Sequence, residues 1–411
     1  MGRLGWVDFS SDDRDRVREV LALLKEAGTL DELGIGQVRD AFSDAMFPGL
    51  STIQTCARYF LAVPKLLLDW AELPDAKRRK KPLAEYLARA ENDLARVLKA
   101  NHERLGISPT DIIGHTAVAT GGVERRPSST YWNGLRVFGI VDTKQSLAEF
   151  CREWRRDHHA HGLVEADDGT DDPDHRFETK VRRPPSSHGP LRDTLTLDLN
   201  KKEAAFLETR IRDAKGLAHS VMAQLLSSGL AAGALSGETT RFGAFAQWAH
   251  GQKTLSAQSR ETIAAADQFS RAVEGAHIVF NRLMARRFEI TRLADETRTR
   301  FRDWRADARA TELFHAEAPD VWLSAAVHGQ LKVRGQTRDF LVAWNDAMRA
   351  DKPMRFLEDL VEAQAKGNKK ERSLLLRGPQ QASSWFGMEA LDYRWQTARR
   401  MLKDIAEPAA C

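Results

Sequence analysis

Acidic and basic residues that could do chemistry together occur in one stretch, residues 31–68. Asp40 and Asp44 are one helical turn apart, so their carboxylates would share a helix face and could hold Mg²⁺. Arg39 and Arg58 lie in the same stretch and could instead pair with these acids. Because no nucleophile with an adjacent base accompanies them, we favour a structural ion-pair network of the four residues and predict no catalytic residue.

Other patterns that signal catalysis or a cofactor are missing from the sequence. It contains no phosphate-binding P-loop, no His-Glu-x-x-His pair and no Gly-x-Ser-x-Gly turn. The pair Gly34-x-Gly36 lacks the further glycine and the preceding strand of a dinucleotide-binding site. We therefore expect no cofactor, and an enzyme is the less favoured class of function.

Metal binding is conceivable in one segment that is rich in histidine and aspartate. His158, His159, His161 and His175 lie there among several aspartates. Imidazole and carboxylate groups are metal ligands, but a segment with almost no apolar residues provides no scaffold to fix their geometry. We therefore favour a solvated loop and predict no metal-binding residue.

The cysteines and the charge balance set broad limits on compartment and partners. Cys56, Cys151 and Cys411 are far apart, which gives no disulfide framework and fits a reducing compartment. The formal net charge of +4 neither requires nor excludes a nucleic acid. Because the sequence has no apolar signal segment and no membrane-spanning run, we expect a cytoplasmic protein without membrane association.

A nucleic-acid-binding module is indicated within residues 106–160. The segment PSSTYWNGLRVFGI follows a short predicted helix and a Gly-Gly turn, as the second helix of a helix-turn-helix or winged-helix module does. Such a helix would enter the major groove of double-stranded DNA. The residues at or near its leading end are Arg125, Arg126, Ser128, Thr130 and Asn133. An ordinary helical hairpin, with its aromatic residues in the core, is the alternative.

Two other regions carry enough positive charge to contact phosphates. Lys77, Arg78 and Arg79 begin the densest basic run of the chain, which a solvated helix or loop also explains. The second region contains nine arginines interleaved with acids: Arg282, Arg286, Arg287, Arg292, Arg298, Arg300, Arg302, Arg305 and Arg309. Its alternating charges favour an exposed, ion-paired helix over a phosphate-binding face.

The periodicity of apolar residues predicts a mainly α, multi-helical fold. At 411 residues the chain exceeds a single ordinary core, and changes in composition indicate four segments. They are an N-terminal helical domain (1–105), the candidate helix-turn-helix module (106–160), a flexible acidic and proline-rich linker or insertion (161–192) and a C-terminal helical domain (193–411).

The candidate ion-pair residues belong to a pattern of two helices separated by a Pro-Gly break. The first helix is predicted over residues 33–46 and the second from Ser51-Thr52, which would start it as a cap. Pro64 should kink or end this second helix, because proline lacks the backbone N–H. We interpret the pattern as a brace that fixes the neighbouring candidate DNA-binding module.

Five stretches together resemble one known family. They are GWVDFS, DELGIGQVRDAFSDAMFPGLSTIQTCARYFLAVP, PSSTYWNGLRVFGI, GAHIVFNRLMARR and LDYRWQTARRMLKDI. Along nearly its whole length the chain is similar to an uncharacterised family of bacterial proteins that carries a domain-of-unknown-function label. The resemblance implies no activity or catalytic residue. It does imply a genomic neighbourhood. Genes of this family lie beside helicase, methyltransferase or phospholipase-D-like nuclease genes in phage-defence and restriction islands.

From these observations we expect a non-catalytic DNA-binding or adaptor subunit of a bacterial restriction or phage-defence system. Its partners would be double-stranded DNA and helicase or nuclease subunits. A protein-interaction scaffold that does not bind DNA and a divalent-metal-dependent nuclease stay open as alternatives. The chain departs from the family pattern at Cys56, where a basic residue is usual, and at Ala62, where an aromatic residue is usual. Any ligand contact at those two positions would differ in this member.

Overall fold

The computed structural model describes residues 31–116, 125–161, 180–185, 194–329, 331–379 and 384–409, with the backbone alone for residues 155–161. Within these ranges the chain forms α-helices and two short 3-10 helices but no strand, so the predicted mainly α fold is confirmed. One isolated antiparallel bridge pairs Val141 with Val181. No helix in the described ranges is both long and apolar enough to span a bilayer.

The helices are numbered in chain order. They are α1 (Gly36–Met46), α2 (Tyr59–Ala71), α3 (Asp75–Lys80), α4 (Leu83–Leu105), α5 (Pro127–Val137), α6 (Leu147–His161), α7 (Lys201–Arg212), α8 (Val221–Ser227), α9 (Ala231–Ala234), α10 (Phe242–His250), α11 (Ala257–Arg287), α12 (Thr291–Ala310), α13 (Ala318–His328), α14 (Gly335–Arg349), α15 (Met354–Lys369), α16 (Leu374–Arg377) and α17 (Trp395–Ala406). The 3-10 helices are Gly237–Thr239 and Lys370–Arg372.

The helices divide between two compact units, each assembled from separate parts of the chain. In the described ranges the first unit takes residues 31–46 and 241–393, and the second takes residues 47–240 and 394–409. These bounds differ from the four consecutive segments drawn from composition. Composition reports where the chain is polar, whereas a unit is defined by which distant helices pack together.

The first unit is built around α11, a helix of 31 residues. Ser256 caps its start, because the Ser256 side chain accepts from the backbone N–H of Ser259 at 3.2 Å. Helices α1, α10, α12, α13 and α15 all pack on α11. Phe42 of α1 is fully buried, with ring centroids 5.9 Å from Phe269 and 5.8 Å from Tyr393. The short α1 is therefore part of this core although most of the unit lies far along the chain.

The second unit packs α2 against α4 and α5, and α7 against α8 and α17. Rings from α2 and from the α5 region meet in its core, with the Phe60 centroid 4.9 Å from Tyr131 and 5.2 Å from Phe138. Ten of the thirteen residues of α2 are buried. Pro64 does not end this helix, which continues to Ala71, because the burial offsets the one hydrogen bond that proline cannot donate.

The start of α2 corrects the prediction from sequence. The helix begins at Tyr59, whereas the sequence placed its start at Ser51-Thr52. The backbone N–H groups of Thr55 and Cys56 donate to the Tyr131 hydroxyl at 2.9 and 3.1 Å. These donors find partners in a distant helix, so the segment before Tyr59 does not need helical hydrogen bonds.

Candidate nucleic-acid interface

The basic run of the second unit lies on α3, a short exposed helix. Lys77 and Arg79 are exposed on it, as are the two lysines that follow. Arg78 is engaged locally, because its guanidinium pairs with Asp75 and donates to the carbonyl of Ala71 at 2.9 Å. Among the described residues no carboxylate pairs with Lys77, Arg79 or the two following lysines. These four charges are therefore available to an external anion.

The helix expected to read DNA is α5, and only part of its leading end is exposed. Arg125 and Arg126 precede the helix and are exposed, as is Asn133 within it. Ser128 and Thr130 are 3% and 6% exposed. An amphipathic helix buries one face, and both hydroxyl residues fall on the buried face of α5. Of the five predicted residues, Arg125, Arg126 and Asn133 are therefore the ones that a ligand can reach in this conformation.

A buried carboxyl group holds the N-terminus of α5. Glu91 of α4 is 1% exposed, and its Oε1 accepts from the backbone N–H of Ser128 at 2.5 Å. The N-cap residue of α5, Arg126, makes no side-chain capping bond, so Glu91 takes that function from another helix. Burial raises the pKa of Glu91 to about 7, although its hydrogen bonds with Ser128 and the charge of Arg126 lower it.

Helix α4 connects the two basic clusters of the second unit. Lys81 lies just before the start of α4 at Leu83, and Glu91 of α4 contacts the start of α5 next to Arg126. The eight-residue step from Leu83 to Glu91 corresponds to about 12 Å at 1.5 Å per residue. Arg89 is exposed on α4 between these points. The fold therefore brings together clusters that are well separated in sequence.

Most arginines of the first unit's arginine-rich region form ion pairs with nearby carboxylates. Arg282 and Arg286 both bind Glu358 of α15, at 2.9 and 2.7 Å. Asp351 pairs with both Arg305 and Arg309. The other pairs are Arg287–Glu362, Arg298–Asp295, Arg300–Glu274, Arg300–Glu296 and Arg302–Asp303. The expected ion-paired, exposed region is confirmed.

The four residues of the expected ion-pair network belong to different units. In the first unit Arg39 pairs with Asp40 at 2.8 Å, and Asp44 is exposed on the same helix, α1. Arg58 belongs to the second unit, where its Nη1 lies 2.5 Å from Glu203 Oε1. The structure thus brings Arg39 and Asp40 together and gives Arg58 an acidic partner from α7.

A buried acid, Glu203, and a half-buried acid, Asp404, both of the second unit, escaped the sequence analysis. Glu203 and Asn200 form a capping box, in which each side chain accepts from the other residue's N–H, at 2.9 and 3.0 Å. The spacing Asn-x-x-Glu before an apolar pattern is a signal that could have identified Glu203. Asp404 accepts from the N–H of Ala57 at 2.7 Å, and burial raises its pKa to about 6. No local pattern marks Asp404, because its partner is 347 positions away.

Metal ligation and thiol chemistry find little support in the described part of the chain. No group of three or more His, Cys, Asp or Glu side chains there could hold a metal ion. In the histidine-rich segment, residues 162–179 and the side chains of residues 155–161 lie outside what the structure describes. Cys56 and Cys151 are buried free thiols. Burial raises the pKa of each to about 12, which removes the thiolate that a nucleophile requires.

Comparison with known proteins gives one match. The model of a family of unknown function, DUF6361, matches residues 1–409. Neither a curated protein nor a solved structure matches the chain.

Proposed function

We propose that this chain, which belongs to the DUF6361 family, binds double-stranded DNA through a basic surface of its second unit. The basic surface is defined by seven exposed residues: Lys77, Arg79, Lys80, Lys81, Arg89, Arg125 and Arg126. One observation carries the proposal. Among the described residues none of the seven makes an ion pair with a carboxylate, although the charge of Arg126 acts on the buried Glu91, whereas eight of the nine arginines of the first unit's arginine-rich region do make one. Unpaired cations are free to replace counterions on DNA phosphates.

Acids near the basic surface leave most of its charge uncancelled. Asp75 pairs with Arg78, and Glu72 pairs with Arg183 at 2.8 Å. Glu91 is buried beneath the start of α5. Along α3 and the first half of α4, Glu85 is the exposed carboxylate that the described structure leaves without an ion pair. The local balance therefore favours a polyanion more strongly than the net charge of the whole chain does.

The geometry of the basic surface suits contact with the DNA backbone. The step along α4 from Leu83, which follows Lys81, to Glu91, which contacts the start of α5, is about 12 Å, comparable to the roughly 12 Å width of the major groove. Lys81, before the start of α4, and Arg126, next to Glu91, would then contact phosphates on opposite sides of one groove. Asn133 is exposed and carries the amide group that pairs with adenine, whereas the buried Ser128 and Thr130 are left out of the proposed contacts.

Binding of this kind depends on phosphates and is weakly specific for sequence. The chain would then act as the DNA-binding subunit of a restriction or phage-defence system, with catalysis supplied by helicase or nuclease subunits. This part of the proposal is supported by the gene setting that the family resemblance implies.

Salt dependence of DNA binding tests the proposal. Fluorescence anisotropy with a short labelled duplex would be measured over a range of KCl concentrations. Two double variants, Lys77→Gln/Arg79→Gln and Arg125→Gln/Arg126→Gln, each remove two phosphate contacts. Each should therefore lower the slope of log K against log salt by about 2 and weaken binding to all sequences alike.

The matched control removes two arginines from the first unit. Arg298→Gln/Arg302→Gln changes the net charge by the same amount, but both side chains already pair with carboxylates. This variant should bind with the salt slope of the unaltered chain. Absence of binding to any duplex at low salt would reject DNA binding and favour a protein-interaction scaffold. If both basic-surface variants keep the salt slope of the unaltered chain, the basic surface is not the DNA-binding site.

A further inference from the structure

A cleft in the first unit has no part in the proposed DNA contact. It has a volume of about 960 Å³ and runs along α11, with α10 on one side and α13 on the other. The lining part of α11 extends from Gln258 to Arg271, which corresponds to about 20 Å of helix. Clefts of this volume accommodate small organic molecules, and this one suits an elongated shape.

The fixed charge of the cleft is negative. Glu261 and Asp267 of α11 both line it, and neither has an ion-pair or hydrogen-bond partner among the described residues. Arg271 also lines the cleft, but its guanidinium already binds Asp307 at 2.7 Å and donates to the hydroxyl of Thr311 at 2.6 Å. Two carboxylates without an ion pair of their own therefore line a concave site, in which the charge of Arg271 offsets part of the charge of Asp267.

Asp267 is the more enclosed of the two carboxyl groups. It is half-buried, whereas Glu261 is exposed at the cleft surface. Burial raises the pKa of Asp267; the charge of Arg271 opposes this effect and the charge of Asp307 adds to it. A bound cation would stabilise the ionised carboxylate in place of the water that it has lost.

The uncharged lining suits a chain of methylene groups that carries hydrogen-bonding groups. Its apolar part is largely small: Ala45, Ala246, Ala264, Ala265 and Ala325. Its polar part is mainly amide and hydroxyl groups: Gln247, Gln258, Gln268, Thr262 and Ser324. Amide and hydroxyl oxygens accept hydrogen bonds from ammonium groups, and alanine methyl groups pack on methylenes.

We propose that this cleft binds a linear aliphatic polyamine. Glu261 and Asp267 are six residues apart on α11, so about 9 Å of helix separates them. One ammonium group would bind Asp267 and a second would bind Glu261. The methylene segments between them would lie on the alanines. The site is independent of the basic surface, because it uses other residues in the other unit.

Isothermal titration of the full chain with spermidine tests this site. The unaltered chain should bind spermidine and should not bind a linear diol of equal length. Asp267→Asn should weaken spermidine binding by about 10-fold or more, because a charge-assisted hydrogen bond is lost from a partly buried site. Glu261→Gln, at an exposed position that tolerates substitution, should weaken it by a smaller factor.

The matched control is Asp320→Asn, which removes an exposed carboxylate of α13 outside the lining. It should leave spermidine affinity unchanged. The proposal is overturned if spermidine does not bind, if Asp267→Asn and Glu261→Gln both bind as the unaltered chain does, or if Asp320→Asn weakens binding as much as Asp267→Asn.

Discussion

Glu91 joins α4 to α5 at a buried position, and its pKa makes this contact depend on pH. The pKa of about 7 in the folded chain exceeds the ordinary value of 4.5. The folded state therefore binds the proton more tightly than the unfolded state does. The stabilisation that protonated Glu91 provides is complete below about pH 4.5 and is lost as pH rises through about 7.

Replacing Glu91 with glutamine should remove this dependence. Glutamine keeps an oxygen that accepts from Ser128 and carries no charge to desolvate. Glu91→Gln should therefore increase the free energy of unfolding at pH 8 by on the order of 2 kcal/mol and change it little at pH 4.5. Urea denaturation at both pH values measures the difference. Glu85→Gln, an exposed position on the same helix, is the control, and a destabilised Glu91→Gln at pH 8 would contradict the explanation.

Arg58 and Glu203 form an ion pair whose partners are 7% and 3% exposed. Removing one partner of a buried pair leaves the other charge desolvated and uncompensated. Glu203→Gln should therefore destabilise the chain by about 3 kcal/mol in chemical denaturation. Asp213→Asn breaks an exposed pair with Arg212 at the end of the same helix and should have no measurable effect. Equal effects of the two substitutions would show that burial does not determine the contribution of the pair.

At the scale of elements, α5 approaches the residues around the Pro-Gly break closely. A Cβ atom on Gly134 would lie 2.5 Å from the carbonyl oxygen of Gly49 and 2.6 Å from a ring carbon of Phe60. Only glycine fits this position without moving backbone. The glycine therefore determines how tightly α5 packs against α2.

Gly134→Ala should destabilise the chain by about 1–3 kcal/mol, although alanine has the higher helix propensity, because the methyl group overpacks this contact. The midpoint of urea denaturation measures the change. Gly335→Ala is the comparison, since a Cβ at the start of α14 would meet nothing within 4 Å. A neutral or stabilising Gly134→Ala would show that α5 can move away at little cost.

The sequence predicts helices well where one helix has its own periodic apolar face. Leu83, Leu87 and Leu94 recur along α4 and are buried in it, and the end of α1 at Met46 agrees with the Pro-Gly break. The prediction fails where a side chain that is distant in sequence determines the local backbone conformation. In the segment from Ser51 to Arg58, which is not helical, the Tyr131 hydroxyl accepts the backbone hydrogen bonds of Thr55 and Cys56.

The candidate interface, like the helices, was predictable from the sequence only in part. Charge clusters are visible in sequence, so Lys77, Arg79, Arg125 and Arg126 were identified. The burial of Ser128 was not predictable, because it follows from the contact with Glu91 of another helix. The alternating charges predicted that the arginines would form ion pairs, but they did not predict the individual partners. Glu358 and Asp351 are far along the chain from the arginines that they bind.

At the scale of the whole molecule, each unit is discontinuous in sequence. The first unit needs α1, whose Phe42 packs between residues of α11 and the segment before α17. A chain cut at the expected boundary of residue 193 lacks α1 and α2–α6. Its C-terminal fragment, residues 193–411, should therefore show no cooperative urea transition and no native near-ultraviolet circular dichroism. A fragment with both properties would support the predicted C-terminal segment as an independent domain.

The discontinuity of the first unit has a consequence for the growing polypeptide on the ribosome. Residues 31–46 are translated early, and the whole stretch 47–240 of the other unit follows before their packing partners at 241–393 are made. The apolar face of α1, including Phe42 and Val38, stays without its native cover during that interval. Domains that are continuous in sequence usually fold one after another from the N-terminus. This chain cannot fold in that order, because its first unit is complete only after residues 241–393 have been translated.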